Sequence, residues 1–290
     1  MRNITWRILC LGIVWAIYLV LGGNSSSLAE GRVTLIDVGQ GDAIWVHDDS
    51  GFDALIDAGP PESAEMLLRQ LSGVPDLDVL MWTHTHEDHI GGMPAVLRAI
   101  PVRQVLWTGL TYPTNTFSQT LHLIGANEIP EDTVREGDVL TWGSFEVLVL
   151  HPDRVYPKTN DCSIVLKLSY GGTDLLLAGD AEWDAEQAMI AGGYDLECDI
   201  LKVGHHGGDT STRPEWLDAV QPDKALISVA RFNDYGYPSL PVVERLRSRS
   251  IDTYRTDRHG TVVVLLDGDG YRIVTERTSV ALPMVWRGIP

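Results

Sequence analysis

Cysteine is scarce in this chain: three residues in 290, at positions 10, 162 and 198, with no Cys-x-x-Cys pair. A structural zinc knot built on thiolates is therefore not expected. Cys162 and Cys198 lie in apolar, strand-like surroundings where buried free thiols are common, so two free thiols are expected rather than a bridge, with Cys162 turned into the core. Basic residues are also short, 22 Lys and Arg against 40 Asp and Glu, for a net charge of −18. Such a surface repels polyanions at long range and lacks the basic footprint by which duplex DNA is usually gripped. One stretch runs against the trend: Arg245, Arg247, Arg249, Arg255 and Arg258. It reads either as a solvated helix face followed by a strand or as a phosphate-steering patch. Only one long apolar run occurs, Ile8 to Leu21, too little for a membrane channel, so the protein is expected to act alone or beside a partner. Residues 31–277 hold no repeat, low-complexity tract or Pro/Gly/Ser-rich linker, which favours one domain over residues 30–280.

The N-terminus differs in kind. Arg2 and Arg7 precede the apolar run, and small residues at Ser27 and Ala29 follow it. That order predicts a secretory signal over residues 1–29, cleaved after Ala29. The rival is an uncleaved anchor, the run being slightly short of the roughly 20 residues a spanning helix needs. Either reading meets the membrane at least during export and places the domain outside the cytoplasm, and cleavage would leave the net charge at −20. Residues 281–290 form a tail with no assigned role.

From Arg32 onward, short apolar strands alternate with Gly/Asp turns and interspersed helices, in two halves. The chemistry concentrates in Thr83-His84-Thr85-His86-Glu87-Asp88-His89-Ile90-Gly91-Gly92, directly after the apolar run Val79–Trp82. Imidazole and carboxylate donors suit Zn²⁺, Mn²⁺ or Fe. His84 and His86 leave a strand end pointing the same way and are expected on one metal. Asp88 and His89, one step into the turn, can face a second, and Glu87 between them is expected to face away. Asp180 follows the buried run Leu175–Gly179, as a carboxylate bridging two ions about 3.5–4 Å apart requires. One of His205 and His206 should complete the second metal, and the sequence leaves open which.

The string His84-Thr85-His86-Glu87-Asp88-His89 resembles the HxHxDH signature of the metallo-β-lactamase superfamily. The flanks Asp37–Ala43 (DVGQGDA), Asn160–Ser163 (NDCS), Leu177–Asp180 (LAGD), Lys202–Gly207 (KVGHHG) and Arg255–Gly260 (RTDRHG) are similar to the corresponding domain of ComEC-type competence proteins, in that family's order. The resemblance covers roughly residues 31–277 and implies an α+β fold, the αββα sandwich of two mixed sheets with outer helices and metals at one edge. It also implies that Asp161 replaces the usual third histidine of the first metal, which would tilt preference from Zn²⁺ towards Mn²⁺. Asp180 stands where lactam-hydrolysing members generally carry cysteine, which argues against lactam hydrolysis. Asp57, in Leu55-Ile56-Asp57-Ala58-Gly59, resembles a non-ligand aspartate that orients a metal histidine. Asp37 and Asp42 would lie close behind the metals, or simply make turn contacts within a hairpin. Tyr237 stands where the family usually has histidine, which leaves a hydrogen-bond donor but a slower proton shuttle. His259 could compensate, or be an exposed turn residue; His151 is expected to be a solvated strand-end histidine.

These readings converge on a metal-dependent hydrolase with two divalent ions, Zn²⁺ or Mn²⁺, and with Asp88, Tyr237 and His259 as the side chains nearest the chemistry. The resemblance favours a phosphodiester substrate, in single-stranded DNA or a nucleotide. The alternatives are a carboxylic ester, lactone or thioester hydrolase, and a binding module without turnover.

Overall fold

Val, Ile and Leu recur every second residue in the short strands near both ends of the chain, and that period places one face of each strand inward. In the computed structural model, which describes residues 30–277, these strands form two sheets. The first runs, in spatial order, β15 (Tyr271–Thr275), β14 (Val262–Leu266), β1 (Gly31–Leu35), β2 (Ile44–Asp48), β3 (Asp53–Ile56), β4 (Val79–Met81), β5 (Val105–Trp107) and β6 (Glu131–Thr133). The second runs β13 (Asp252–Arg255), β12 (Lys224–Ile227), β11 (Ile200–Lys202), β10 (Thr173–Leu177), β9 (Val165–Tyr170), β8 (Phe145–His151) and β7 (Val139–Trp142). Both are mixed: β3 to β6 pair in parallel, as do β10 to β13, while the rest are antiparallel.

Three apolar clusters define the layers. Val33, Val46, Ile56 and Met81 of the first sheet meet Val147, Leu166, Leu175 and Leu226 of the second in a central core. Outside the first sheet pack α1 (Ala64–Gln70), the turn α2 (Glu87–Ile90), α3 (Met93–Ala99) and α4 (Asn115–Ala126), through residues such as Leu67, Ile90, Val96 and Phe117. Outside the second pack α5 (Trp183–Gly192), α6 (Pro214–Val220) and α7 (Leu240–Ser248), through Met189, Trp216 and Leu246. A last turn, α8 (Thr256–His259), follows β13. The expected αββα sandwich is thus the observed one.

Strands β6, β7 and β13 escape the apolar-pattern reading because β6 is exposed throughout (Glu-Asp-Thr), β7 mostly so and β13 polar. Among the described residues no helix is long and apolar enough to cross a membrane. The expected signal or anchor over residues 1–29 and the tail over 281–290 lie outside the described residues.

The sheet geometry positions the site. Strands β3 and β4 are parallel, as are β10 and β11, so the loops leaving their C-terminal ends emerge together on one edge of each sheet. Strand β1 runs with β3, because each is antiparallel to β2, and its following turn joins the same edge.

Candidate metal centre

The loop leaving β4 carries the first donors. His84 is buried, His86 partly open, and the helical turn α2 places Asp88 and His89 on the side facing the second sheet. The rings of His84 and His86 lie 4.6 Å apart and those of His84 and His89 4.2 Å apart. Asp180, after the glycine turn that ends β10, is buried beneath them. Its Oδ2 is 3.2 Å from His89 Nε2, 3.5 Å from His206 Nε2 and 3.9 Å from His84 Nε2. Asp88, His89, Asp180 and His206 each bring one donor atom within 4.8 Å of the others.

The histidine pair is resolved by backbone conformation. Strand β11 ends at Lys202, and both His205 and His206 adopt left-handed φ, 47° and 54°. Consecutive non-glycine residues there store strain, which tends to be retained at functional sites. This turn separates the two rings. His206 is buried and points Nε2 at Asp88 Oδ2, 3.2 Å away, while its Nδ1 lies 3.0 Å from the Ser228 carbonyl. His205 points elsewhere: Nδ1 lies 3.0 Å from both Glu182 and Thr210 Oγ1, and Nε2 lies 3.3 Å from Asn160 Nδ2.

The unsatisfied atoms test whether a cation fits. His89 Nδ1 donates to Asp57 Oδ2 at 2.7 Å, so its Nε2 presents a lone pair. The Ser228 carbonyl fixes His206 in the same way. His84 Nε2, His89 Nε2, His206 Nε2 and Asp180 Oδ1 are all buried without a hydrogen-bond donor. Lone pairs converging on carboxylate oxygens repel one another unless positive charge lies between them. Burial works against charging His89 and His206, yet the Asp180 carboxylate and its neighbours outweigh it and raise both well above the ordinary histidine value. Burial and the neighbouring His89 push His84 the other way, well below it, so His84 is a neutral donor. Burial also opposes ionising Asp180, but His206 and His89 hold it well below the carboxylate range. The cluster demands positive charge, and its donors fit a divalent ion.

Around this core the other expected residues separate. Asp57, at φ 60°, accepts from Thr83 N–H and Thr83 Oγ1, both at 2.8 Å, as well as from His89, and so locks the β4 loop to a metal histidine. Asp42 is buried 3.5 Å from His206 Nδ1 and paired with Lys202. Gly41 next to it needs to be glycine: a Cβ would lie 2.1 Å from the Asp88 carbonyl oxygen. Asp161 Oδ1 accepts from Glu182 N–H (3.1 Å) and Ala185 N–H (3.2 Å) at the start of α5, while Oδ2 is buried without a partner. It stands outside the four-donor cluster. Glu87 faces away, accepting from Thr116 Oγ1 on α4. Tyr237 packs edge-on against His205, 5.2 Å between rings, and stacks on Tyr235. Burial raises its phenol, which therefore stays protonated and a donor.

Asp37 and His259 fall on the turn side of their two readings, and His151 departs from expectation. Asp37 does not stand behind the metals; it accepts from Gly39 N–H and pairs with Arg277 at 3.2 Å, a turn contact at a strand end. His259 is held by the Arg255 backbone, 2.9 and 3.0 Å from its Nδ1, and packs on Tyr254; none of its hydrogen bonds reaches the cluster. His151 is buried rather than solvated, with Nε2 donating to the Asp161 carbonyl at 2.7 Å. Among the basic stretch, Arg245, Arg249 and Arg255 pair with Asp209, Asp218 and Asp257, which reduces the charge available to steer phosphate to Arg247 and Arg258. Cys162 and Cys198 are buried and free, though Cys162 sits in a short helical turn rather than a strand.

Sequence reasoning did not single out Lys202, Glu182, Ser163 or Ser228. Lys202 is fully buried, with Nζ on Asp42 and on the Gly179 carbonyl at 3.0 Å, and ties three metal-bearing segments together. Its sequence signals are its place at the head of the Lys202–Gly207 string and a charge at an otherwise apolar strand end. Glu182, whose carboxyl is brought down to about 2 by His205, Lys158, Asn160 and Thr210 against the effect of burial, organises the His205 side.

The profile described as "Metallo-beta-lactamase superfamily" matches residues 36–231, spanning every donor named above. The chain belongs to the metallo-β-lactamase superfamily. Among curated relatives it is 30% identical over 283 residues to ComE operon protein 3 of Bacillus subtilis (strain 168), covering 90% of this chain and 36% of the relative. It is 30% identical over 258 residues to the competence protein ComA of Neisseria gonorrhoeae, covering 86% and 35%. The chain thus spans about a third of the length of these ComEC-type relatives. Among solved structures, the metallo-β-lactamase fold protein YhfI of Bacillus subtilis superposes with a TM-score of 0.54 at 12% identity, covering 78% of this chain and 95% of that one. That likeness supports the fold alone.

Proposed function

We propose that this superfamily member is an extracytoplasmic hydrolase of phosphodiester bonds that uses two divalent ions, Zn²⁺ or Mn²⁺. The observation carrying the reading is the convergence of three donor-less imidazole Nε2 atoms on the Asp180 carboxylate, a cluster with no structural purpose in a sandwich whose core lies elsewhere. We assign His84, His86 and Asp161 Oδ2 to one ion, and Asp88, His89 and His206 to the other, with Asp180 shared.

Bound divalent ions would supply Lewis acidity towards a phosphoryl oxygen and lower the pKa of water. The chain's residues do the rest. Asp57 and the Ser228 carbonyl hold His89 and His206 as the tautomers that present Nε2. Asp88, the more open of the two carboxylates in the cluster, lies 3.2 Å from His206 Nε2. Tyr237, still protonated and packed against His205, is assigned as a hydrogen-bond donor to a leaving oxygen.

The acidic surface and the paired arginines favour a small diester or an unpaired strand over duplex DNA. The competence proteins among its relatives support a DNA-linked role. The test is hydrolysis of bis(p-nitrophenyl) phosphate by the full chain with Mn²⁺, Zn²⁺ or EDTA, beside a simple lactone. Metal-dependent diester cleavage is expected. Lactone turnover alone would move the protein to the carboxylic ester class, and two bound ions without turnover would mark a binding module.

A further inference from the structure

A cavity of about 150 Å³ opens beside the candidate metal centre, with His84 in its wall. Its other walls come mainly from two loops, Thr108, Leu110, Thr111 and Tyr112 after β5, and Val155, Tyr156, Pro157 and Thr159 after β8, where Lys158 between them is turned away to pair with Glu182. In a chain carrying 62 formal charges, none of the residues lining this cavity is Lys, Arg, Asp or Glu. A phosphate or an ammonium group would find no counter-charge there. The volume is below the roughly 300 Å³ at which pockets for whole small molecules begin, so it admits one ring rather than a nucleotide. Threonine hydroxyls offer donors and acceptors at its edge, and Tyr112, set edge-on to His86 with ring centroids 6.3 Å apart, is 40% exposed and presents an aromatic surface.

We propose that this neutral cavity is a subsite for the nucleobase next to the scissile phosphate. The proposal rests on the phosphodiesterase reading and adds that the substrate is held by its uncharged ring on one side of the metals, stacking standing in for the missing basic footprint. Base–aromatic stacking tolerates an acidic protein surface better than phosphate contacts do. A base engaged this way must be free of its complement, so the subsite selects unpaired strands or nucleotides.

Two measurements on the full chain test it, with Tyr112→Ala and Val155→Glu, both at exposed positions (Val155 is 68% exposed) and so compatible with an intact core. The first is saturation-transfer NMR with thymidine, which carries no phosphate and needs no metal. Transfer to the base protons is expected in the parent chain and lost in both variants. Transfer that survives both substitutions, or reaches only the sugar, overturns the subsite. The second compares kcat/KM for thymidine 5′-(p-nitrophenyl) phosphate with that for methyl p-nitrophenyl phosphate. The ratio should favour the nucleoside ester and fall about tenfold in Tyr112→Ala, the scale of one stacked base. Base transfer without cleavage of either ester would uphold the subsite and sink the phosphodiesterase reading. Cleavage with an unchanged ratio would do the reverse.

Discussion

The two groups of donors at this sheet edge are built to different standards. Around Asp180, the donor atoms of His89, His206 and Asp88 lie within 4.8 Å of each other, and each histidine is backed by an acceptor of its own, Asp57 or the Ser228 carbonyl. Behind them the buried Lys202–Asp42 pair joins the turn after β1 to the ends of β10 and β11. Around His84 the support is thinner. His84 Nδ1 has only the hydroxyls of Thr83 and Ser163, at 3.2 and 3.3 Å, His86 is partly open beside Tyr112, and Asp161 spends one oxygen on the start of α5. Donors held by a second layer of hydrogen bonds bind metal with less reorganisation. One half of the centre is prebuilt and the other is left to adapt, so a tight ion and a weaker ion are expected.

Asp180→Ala should erase that contrast altogether, because the carboxylate is proposed to serve both halves. Elemental analysis should find neither ion, and diester hydrolysis should fall below detection; one retained equivalent would mean that the carboxylate is not shared. The next largest effect divides the histidine pair. His206→Ala should cost the tight ion, whereas His205→Ala should keep both, and the opposite stoichiometries would exchange the two roles. Weakening the backing alone should give less: Asp57→Asn is expected to lower affinity for the tight ion about 10- to 100-fold in a chelator competition. At Asp161 the two functions can be pulled apart. Asp161→Ala removes an acceptor from the α5 N-terminus and should cost about 1 kcal/mol in denaturant unfolding. Asp161→Asn keeps the acceptor and should weaken only the second, looser ion. If Asn left both affinities untouched, the ligand assignment would fail and the capping role would stand alone.

A separate effect comes from Glu186 on α5, whose ionisation reports on the fold rather than on metal. Burial raises its carboxyl from the ordinary 4.5 to about 8, although the N–H groups of Thr212 and Arg213 favour the ionised form. A carboxyl whose pKa is raised on folding holds a proton that the unfolded chain releases. Its contribution is complete below about pH 4.5 and lost as pH rises towards 8, so stability slopes downward across that window. Glu186→Gln should flatten the slope in urea unfolding measured between pH 5 and 8. An unchanged slope would assign it to other groups.

Legibility followed the strength of each local signal. Val79–Trp82 and Leu175–Gly179 are unbroken apolar runs ended by polar donors, and strand ends carrying ligands were readable from them. Strand β6, exposed throughout, owes its place to pairing with β5 rather than to any pattern of its own. The turn at Asp88 and His89 was readable, but its helical form was not, because four residues are too few for helical periodicity; that form is what aims the two side chains. His151 read as solvated because it ends a strand before proline; the loop carrying Asp161 folds over it and buries it. Asp37 and Asp42, five residues apart in one glycine-rich string, part company because the turn at Gly41 sends one carboxylate to Arg277 and the other under His206.

By itself the sequence determined the fold class and the kinds of donor, since alternating apolar residues and the order of the histidine and aspartate motifs are local properties of the chain. Which donors share a cavity was decided only by tertiary structure. His206 rather than His205, Asp42 rather than Asp37, and the burial of Lys202 all depend on left-handed turns and on segments more than 100 residues apart meeting at one edge. No window of sequence contains the partner that makes each choice, because the deciding force is the cost of burying a polar group without one.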